Sequence, residues 1–85
     1  MTGTVTDQGT GEPVDGATVY LLAPGQSDTA NALATTGTDV TGGYAFLGVT
    51  PGTYDVLAEK DALADQQEDV SVAANNVVVV DLALK

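Results

Sequence analysis

Residues 42–56 read Gly42-Gly43-Tyr44-Ala45-Phe46-Leu47-Gly48-Val49-Thr50-Pro51-Gly52-Thr53-Tyr54-Asp55-Val56, and their pattern decides the fold class. Tyr44 and Phe46 fall on alternate positions, and so do Tyr54, Val56 and Ala58. Side chains alternate between the two faces of a strand, so a period of two marks half-buried strands rather than helix. The pattern predicts a strand over 44–47, a turn over 48–52 and a strand over 53–59. Pro51-Gly52 suits the centre of a type II turn, where Pro fixes one angle and Gly supplies the positive one. Gly43 is expected to provide a similar sharp entry into the earlier strand. The rings of Tyr44, Phe46 and Tyr54 are expected between two sheets, as core rather than as a ligand platform.

Working outward, the same alternation recurs between turn signals. Residues 3–7 form a first expected strand with Val5 inward. Residues 8–16 make a turn-rich loop ending in Gly16, which lets the chain bend into a second strand over 17–23. There Ala17, Val19 and Leu21 share one face, and Thr18, Tyr20 and Leu22 the other. A third strand is expected over 32–38 and a sixth over 69–73. Asn75-Asn76 reads as a tight turn, because Asn tolerates left-handed angles. A seventh strand is expected over 77–84. Residues 59–69 carry Leu63 as their only large apolar residue, too little for an amphipathic helix, and read as a solvated connection. The expected architecture is a single all-β domain over 1–85. It is a seven-stranded antiparallel Greek-key sandwich of transthyretin-like or immunoglobulin-like type.

Composition excludes several functions. The 85 residues carry a formal charge of −10, from 12 acids against Lys60 and Lys85, with no Arg, His, Cys or Trp. Zinc sites of the usual kind, imidazole bases, thiol nucleophiles and disulfides are therefore absent. Two lysines cannot neutralise a row of phosphates, so nucleic acid is not an expected partner. No apolar run reaches the length of a membrane span. Val and Thr, at twelve each, favour strands, and nine Asp favour turns. Such a surface repels its own kind and stays soluble.

Two elements stand out when taken together. Gly3-Thr4-Val5-Thr6-Asp7 is followed by Gly11-Glu12-Pro13-Val14-Asp15-Gly16-Ala17-Thr18-Val19, and later comes the 42–56 stretch. From Gly3 to Leu84 the chain resembles the carboxypeptidase regulatory-like domain, a member of the transthyretin-like β-sandwich group. The resemblance implies an appendage, spacer or stalk module on secreted and surface proteins, without catalysis. It implies an extracellular or cell-surface location, although no signal peptide stands at the start of this sequence.

The chemically active relatives of that group can be compared residue by residue. Transthyretin-like hydroxyisourate hydrolases use histidines and an arginine, which this chain lacks. Intradiol dioxygenases hold iron through Tyr and His, and the His is missing. Collagen-adhesin B-type domains join a first-strand Lys to a last-strand Asn or Asp with help from a Glu. Here the first strand has no Lys, Ala58 stands where the Glu is expected, and Asp81 lacks its partner. Asp61, Asp65, Glu68 and Asp69 are crowded, but without the D-x-[DN]-x-[DN]-G spacing of a calcium loop they read as a solvated acidic run. Asp7, Asp15 and Asp39 stand at strand ends, where Asp caps backbone N–H groups. Ser27 and Ser71 have no base, so no catalytic residue and no cofactor is assigned.

The last strand breaks the alternation with Val77-Val78-Val79-Val80. If Val78, Val80, Leu82 and Leu84 face the core, Val77 and Val79 face outward. Together with Tyr20 and Leu22 they would form an apolar outer patch, an invitation to another chain. Three functions follow as expectations. The first is a non-catalytic structural or adhesion module. The second is a fibre subunit that recruits copies of itself by strand addition or exchange. The third is a ligand-binding accessory domain of a hydrolase. A carbohydrate partner would need an exposed aromatic, and the Thr-rich stretch 27–41 could carry O-linked sugar.

Overall fold

The computed structural model describes residues 1–25, 29–73 and 78–85. Seven strands follow one another: β1 (Thr2–Asp7), β2 (Thr18–Leu22), β3 (Ala34–Gly37), β4 (Gly43–Ala45), β5 (Gly52–Lys60), β6 (Leu63–Val72) and β7 (Leu82–Leu84). A single 3-10 turn, Thr29–Asn31, precedes β3. The strands form a three-stranded sheet in the order β4-β1-β7 and a four-stranded sheet in the order β3-β2-β5-β6. The expected all-β sandwich of transthyretin-like type is what the chain adopts.

Period two produces the core. Val5 from β1, Val19 and Leu21 from β2, Val56 and Ala58 from β5, and Leu82 and Leu84 from β7 meet between the sheets with Tyr44, Phe46 and Val80. Tyr44 and Phe46 stack edge to face, with ring centroids 6.0 Å apart and planes at 71°, a favoured aromatic geometry. Burying each Val or Leu side chain contributes roughly 1.5–3 kcal/mol against leaving it exposed. Ala17 lies beneath a local knot. Its N–H donates to the buried Thr38 hydroxyl at 2.9 Å, and that hydroxyl donates to the Val14 carbonyl at 2.6 Å. The loop before β2 is thereby tied to the end of β3, where Thr38 N–H also donates to the Ala17 carbonyl at 2.9 Å.

Three expectations change. First, the acidic stretch is strand rather than solvated connection: β6 begins at Leu63 and pairs with β5 from Lys60↔Leu63 to Gly52↔Val72. The turn between them is tight, with Asp61 at φ 53°, an angle Asp tolerates better than most residues. Pairing with a long neighbour holds this acidic sequence in a strand despite its weak apolar pattern. Glu68 and Asp69 together face Asp55, and Asp69 has φ 56°, which makes a β-bulge.

Second, the sandwich is not wholly antiparallel. β7 runs parallel to β1, with Val5↔Leu82, Thr6↔Ala83 and Asp7↔Leu84 as partners. β7 is also short: among the described residues upstream of it, Val79 pairs as an isolated bridge to Thr2. Val77 and the Asn75-Asn76 turn lie outside the described residues.

Third, the turn glycines are partly reassigned. Gly16 has the positive φ expected of it, 75°. Gly43, however, is already the first residue of β4, and Gly42 takes the left-handed angle at φ 75°. A Cβ on Gly42 would also fall 2.5 Å from the Val5 carbonyl oxygen. Gly52, at φ 159°, is nearly extended and opens β5, so Pro51-Gly52 is not a type II turn. The motif works through Tyr54 instead. Its hydroxyl donates to the Thr50 carbonyl and its ring lies 3.8 Å from where a Gly52 Cβ would stand. This is the geometry of a tyrosine corner, which pins the chain entering a strand.

Candidate functional site

The parallel pairing turns the first and last strands into a clasp. β1 is the middle strand of its sheet, so its backbone is held on both sides. Toward the last strand, Thr2 N–H donates to the Val78 carbonyl at 2.9 Å, and Val80 N–H donates to the Thr2 carbonyl at 2.8 Å. Thr4 N–H donates to the Asp81 carboxylate at 3.0 Å. The ladder closes where Gln8 N–H donates to the Leu84 carbonyl at 3.0 Å. Toward β4, Phe46 N–H donates to the Met1 carbonyl at 2.8 Å, and Val5 N–H to the Gly42 carbonyl at 2.8 Å.

Gly3 sits at the centre of this clasp because nothing larger fits. A Cβ there would fall 1.8 Å from the Val80 carbonyl oxygen and 2.7 Å from the Tyr44 hydroxyl. The space it leaves lets the Tyr44 hydroxyl, carried by β4, reach past β1 and donate to the Val80 carbonyl. One buried hydrogen bond thus joins the two flanks of the sheet. Burial pushes the Tyr44 phenol well above the usual tyrosine range, and the Asp81 carboxylate adds to the effect, because both disfavour a phenolate.

The other sheet supports the clasp from the side. Ala83 N–H donates to the Asp65 carboxylate at 3.0 Å, and Lys85 N–H to the Ala64 carbonyl at 3.2 Å. These donors on and just after β7 are satisfied within the molecule by β6. The Lys85–Asp65 ion pair spans 3.6 Å with the lysine exposed, so it adds little.

Of the residues expected to form an assembly patch, Val77 lies outside the described residues, and Tyr20, Leu22 and Val79 are not brought together. Leu22 is fully buried. It lies opposite Asp55, whose carboxylate accepts from Gly25 N–H at 2.9 Å and from Asp69 N–H at 3.1 Å. Those two bonds fold the chain after β2 and the β6 bulge over this face. Tyr20 is half-buried on the same sheet and donates its hydroxyl to Glu59 at 3.0 Å. That hydrogen bond, more than burial or the glutamate charge, raises the Tyr20 phenol above its ordinary value. Val79 is 63% exposed but belongs to the opposite sheet, beside Thr2. It lines an open cleft of about 370 Å³ with Gln67, Val70 and Asp81.

Other features were not legible in the sequence. Leu47 and Leu33 are the exposed apolar residues of a second open cleft, of about 270 Å³, shared with Val49 and Tyr54. Tyr54 is half-buried and Tyr44 buried, so neither ring is a free platform for a sugar. Asp7 and Asp39 act as the expected caps. Asp7 accepts from Gly9 N–H at 2.8 Å. Asp39 accepts from the Thr41 hydroxyl at 2.6 Å, from Thr41 N–H at 2.9 Å and from Gly43 N–H at 3.0 Å. The Thr41 hydroxyl first, then these amides, hold the Asp39 carboxyl below the usual range. Among the described residues, no three carboxylates converge in a way that could hold a metal ion. Ala58 is buried in the core, and Lys60 donates to the Asp15 carbonyl.

The chain's two ends therefore stand at opposite ends of the sandwich. Thr2 lies level with Val79, and Asp7 lies level with Leu84. A family model described as carboxypeptidase regulatory-like domain matches residues 1–85. No curated protein matches the chain.

Proposed function

Because the chain belongs to the carboxypeptidase regulatory-like domain family, whose sandwich is a non-catalytic module, we propose that it serves as a spacer or scaffold in an extracellular or cell-surface protein. The observation that carries this reading is the parallel pairing of β1 with β7. It sends the chain in at one end of the molecule and out at the other. Whatever is joined to the two ends is held apart by the length of the six-residue β1, on the order of 20 Å. A module with neighbouring ends would instead hang off a chain as a side branch. The acidic surface suits an exposed spacer, because it discourages collapse onto similar neighbours.

Small-angle scattering on one copy and on two copies joined directly end to end tests this. An in-line spacer adds at least about 20 Å, the length of β1, to the maximum length per copy. Two copies that fold side by side, adding less than half of that, would remove the reading.

A further inference from the structure

The clasp does more than set the direction of the chain, and the reasoning here rests on the spacer reading above. We infer that the domain bears tension, with load entering at Met1 and leaving at Lys85 carried by the β1–β7 ladder in shear.

The geometry follows from strand direction. Two parallel strands whose outer ends are pulled apart must slide past one another. Their hydrogen bonds lie across the pull and stretch together. An antiparallel pair of terminal strands has its free ends side by side, so tension opens it one bond at a time. In this chain the bonds loaded together run the length of β1. Besides the ladder bonds of the paired residues Val5–Asp7 and Leu82–Leu84, they include Thr2 N–H to Val78, Val80 N–H to Thr2, Thr4 N–H to Asp81 and Gln8 N–H to Leu84.

Two features keep the strands from slipping. Val5, Leu82 and Leu84 are at most 2% exposed and face the other sheet, so sliding drags their side chains through a packed core. The Tyr44 hydroxyl bond to the Val80 carbonyl passes Gly3 and ties the last strand to β4. β1 is thus held from both flanks and by a link between those flanks. The donors on and just after β7 that β6 takes up anchor the far strand to the four-stranded sheet. Forced rupture follows the unfolding rate rather than the overall stability, so this arrangement matters even in a small domain.

Single-molecule pulling on the same chain in two geometries tests the inference. The sequence contains no cysteine, so thiol handles can be placed at will. Handles at residues 1 and 85 load the clasp in shear. Handles at residue 1 and at Val79→Cys, an exposed position opposite Thr2, peel it. At one pulling speed the shear geometry should rupture at a force at least about two-fold higher, since its bonds share the load. Tyr44→Phe and the exposed Asp81→Ala should each lower the shear force. Equal forces in the two geometries would overturn the inference and leave the spacer reading intact. Side-by-side packing in the scattering experiment would instead remove the spacer reading, and with it the load path.

Discussion

Replacing Tyr44 by Phe isolates one atom of the clasp. The ring keeps its edge-to-face contact with Phe46, and only the hydroxyl that donates to the Val80 carbonyl is lost. Leaving a buried carbonyl without this donor costs about 1–3 kcal/mol, more than the net worth of an ordinary hydrogen bond. A loss of about 2 kcal/mol is a large fraction of the roughly 4–13 kcal/mol expected for a domain of this size. In a domain this small it lowers Tm by roughly 10 °C. Urea melts should show a lower midpoint with an unchanged slope.

The pH dependence gives a second reading of the same group. The buried phenol is raised above its unfolded value near 10, so its contribution is complete below that pH and is lost as the pH rises further. Wild type should therefore lose stability above about pH 10, with Tyr44 contributing at most about 1.4 kcal/mol per pH unit. The Phe variant should lack that share of the slope. A Tm within about 2 °C of wild type, with an unchanged alkaline slope, would refute the assigned role of the hydroxyl.

Further outcomes follow from the same geometry. Gly3→Ala places a methyl group on the Val80 carbonyl and should cost at least about 3 kcal/mol by forcing the clasp apart. A near-normal melt would show that β7 does not lie where it is described. Leu22→Asp should destabilise severely, because it buries a charge. Leu47→Asp, at a position 93% exposed, should stay within about 0.5 kcal/mol of wild type in urea melts. A mild effect at Leu22 would mean that its face of β2 is open rather than covered. The Asp39 carboxyl, followed by carbon NMR, should titrate below the ordinary aspartate range. Its contribution to stability is present above that range and is lost as the pH falls through the depressed value. Thr41→Ala should bring the titration back toward the ordinary value, and a titration that stays put would remove the hydroxyl as the chief cause.

What the sequence reveals and what it hides follow from physical scale. Period-two alternation is a local signal, so Val5, Val19, Leu21, Tyr44, Phe46 and Val56 could be placed in a core by reading alone. Glycines mark close approaches, yet the partner of each approach lies far along the chain. Gly3 is explained only by Val80 and Tyr44, and no spacing rule connects them. Strand direction is equally non-local, because β1 and β7 lie at opposite ends of the sequence. The acidic run of β6 looks like a solvated loop because its pairing with β5, not its composition, makes it a strand. Leu22 looks exposed by alternation and is covered because the neighbouring Asp55 recruits backbone donors from the loop after β2 and from the β6 bulge.

The parallel clasp itself can be measured directly by spin-label distances from one exposed position, Gln8→Cys, to two others. Gln8 stands beside Leu84 at one end of the ladder, while Val79 stands opposite Thr2 at the other end. At about 3.3 Å per residue, the label at Val79→Cys should lie about 20 Å away along the strand. The label at Lys85→Cys should lie much closer. A long distance to Lys85→Cys and a short one to Val79→Cys would mean antiparallel pairing, and would contradict both the in-line path and the load it is proposed to carry.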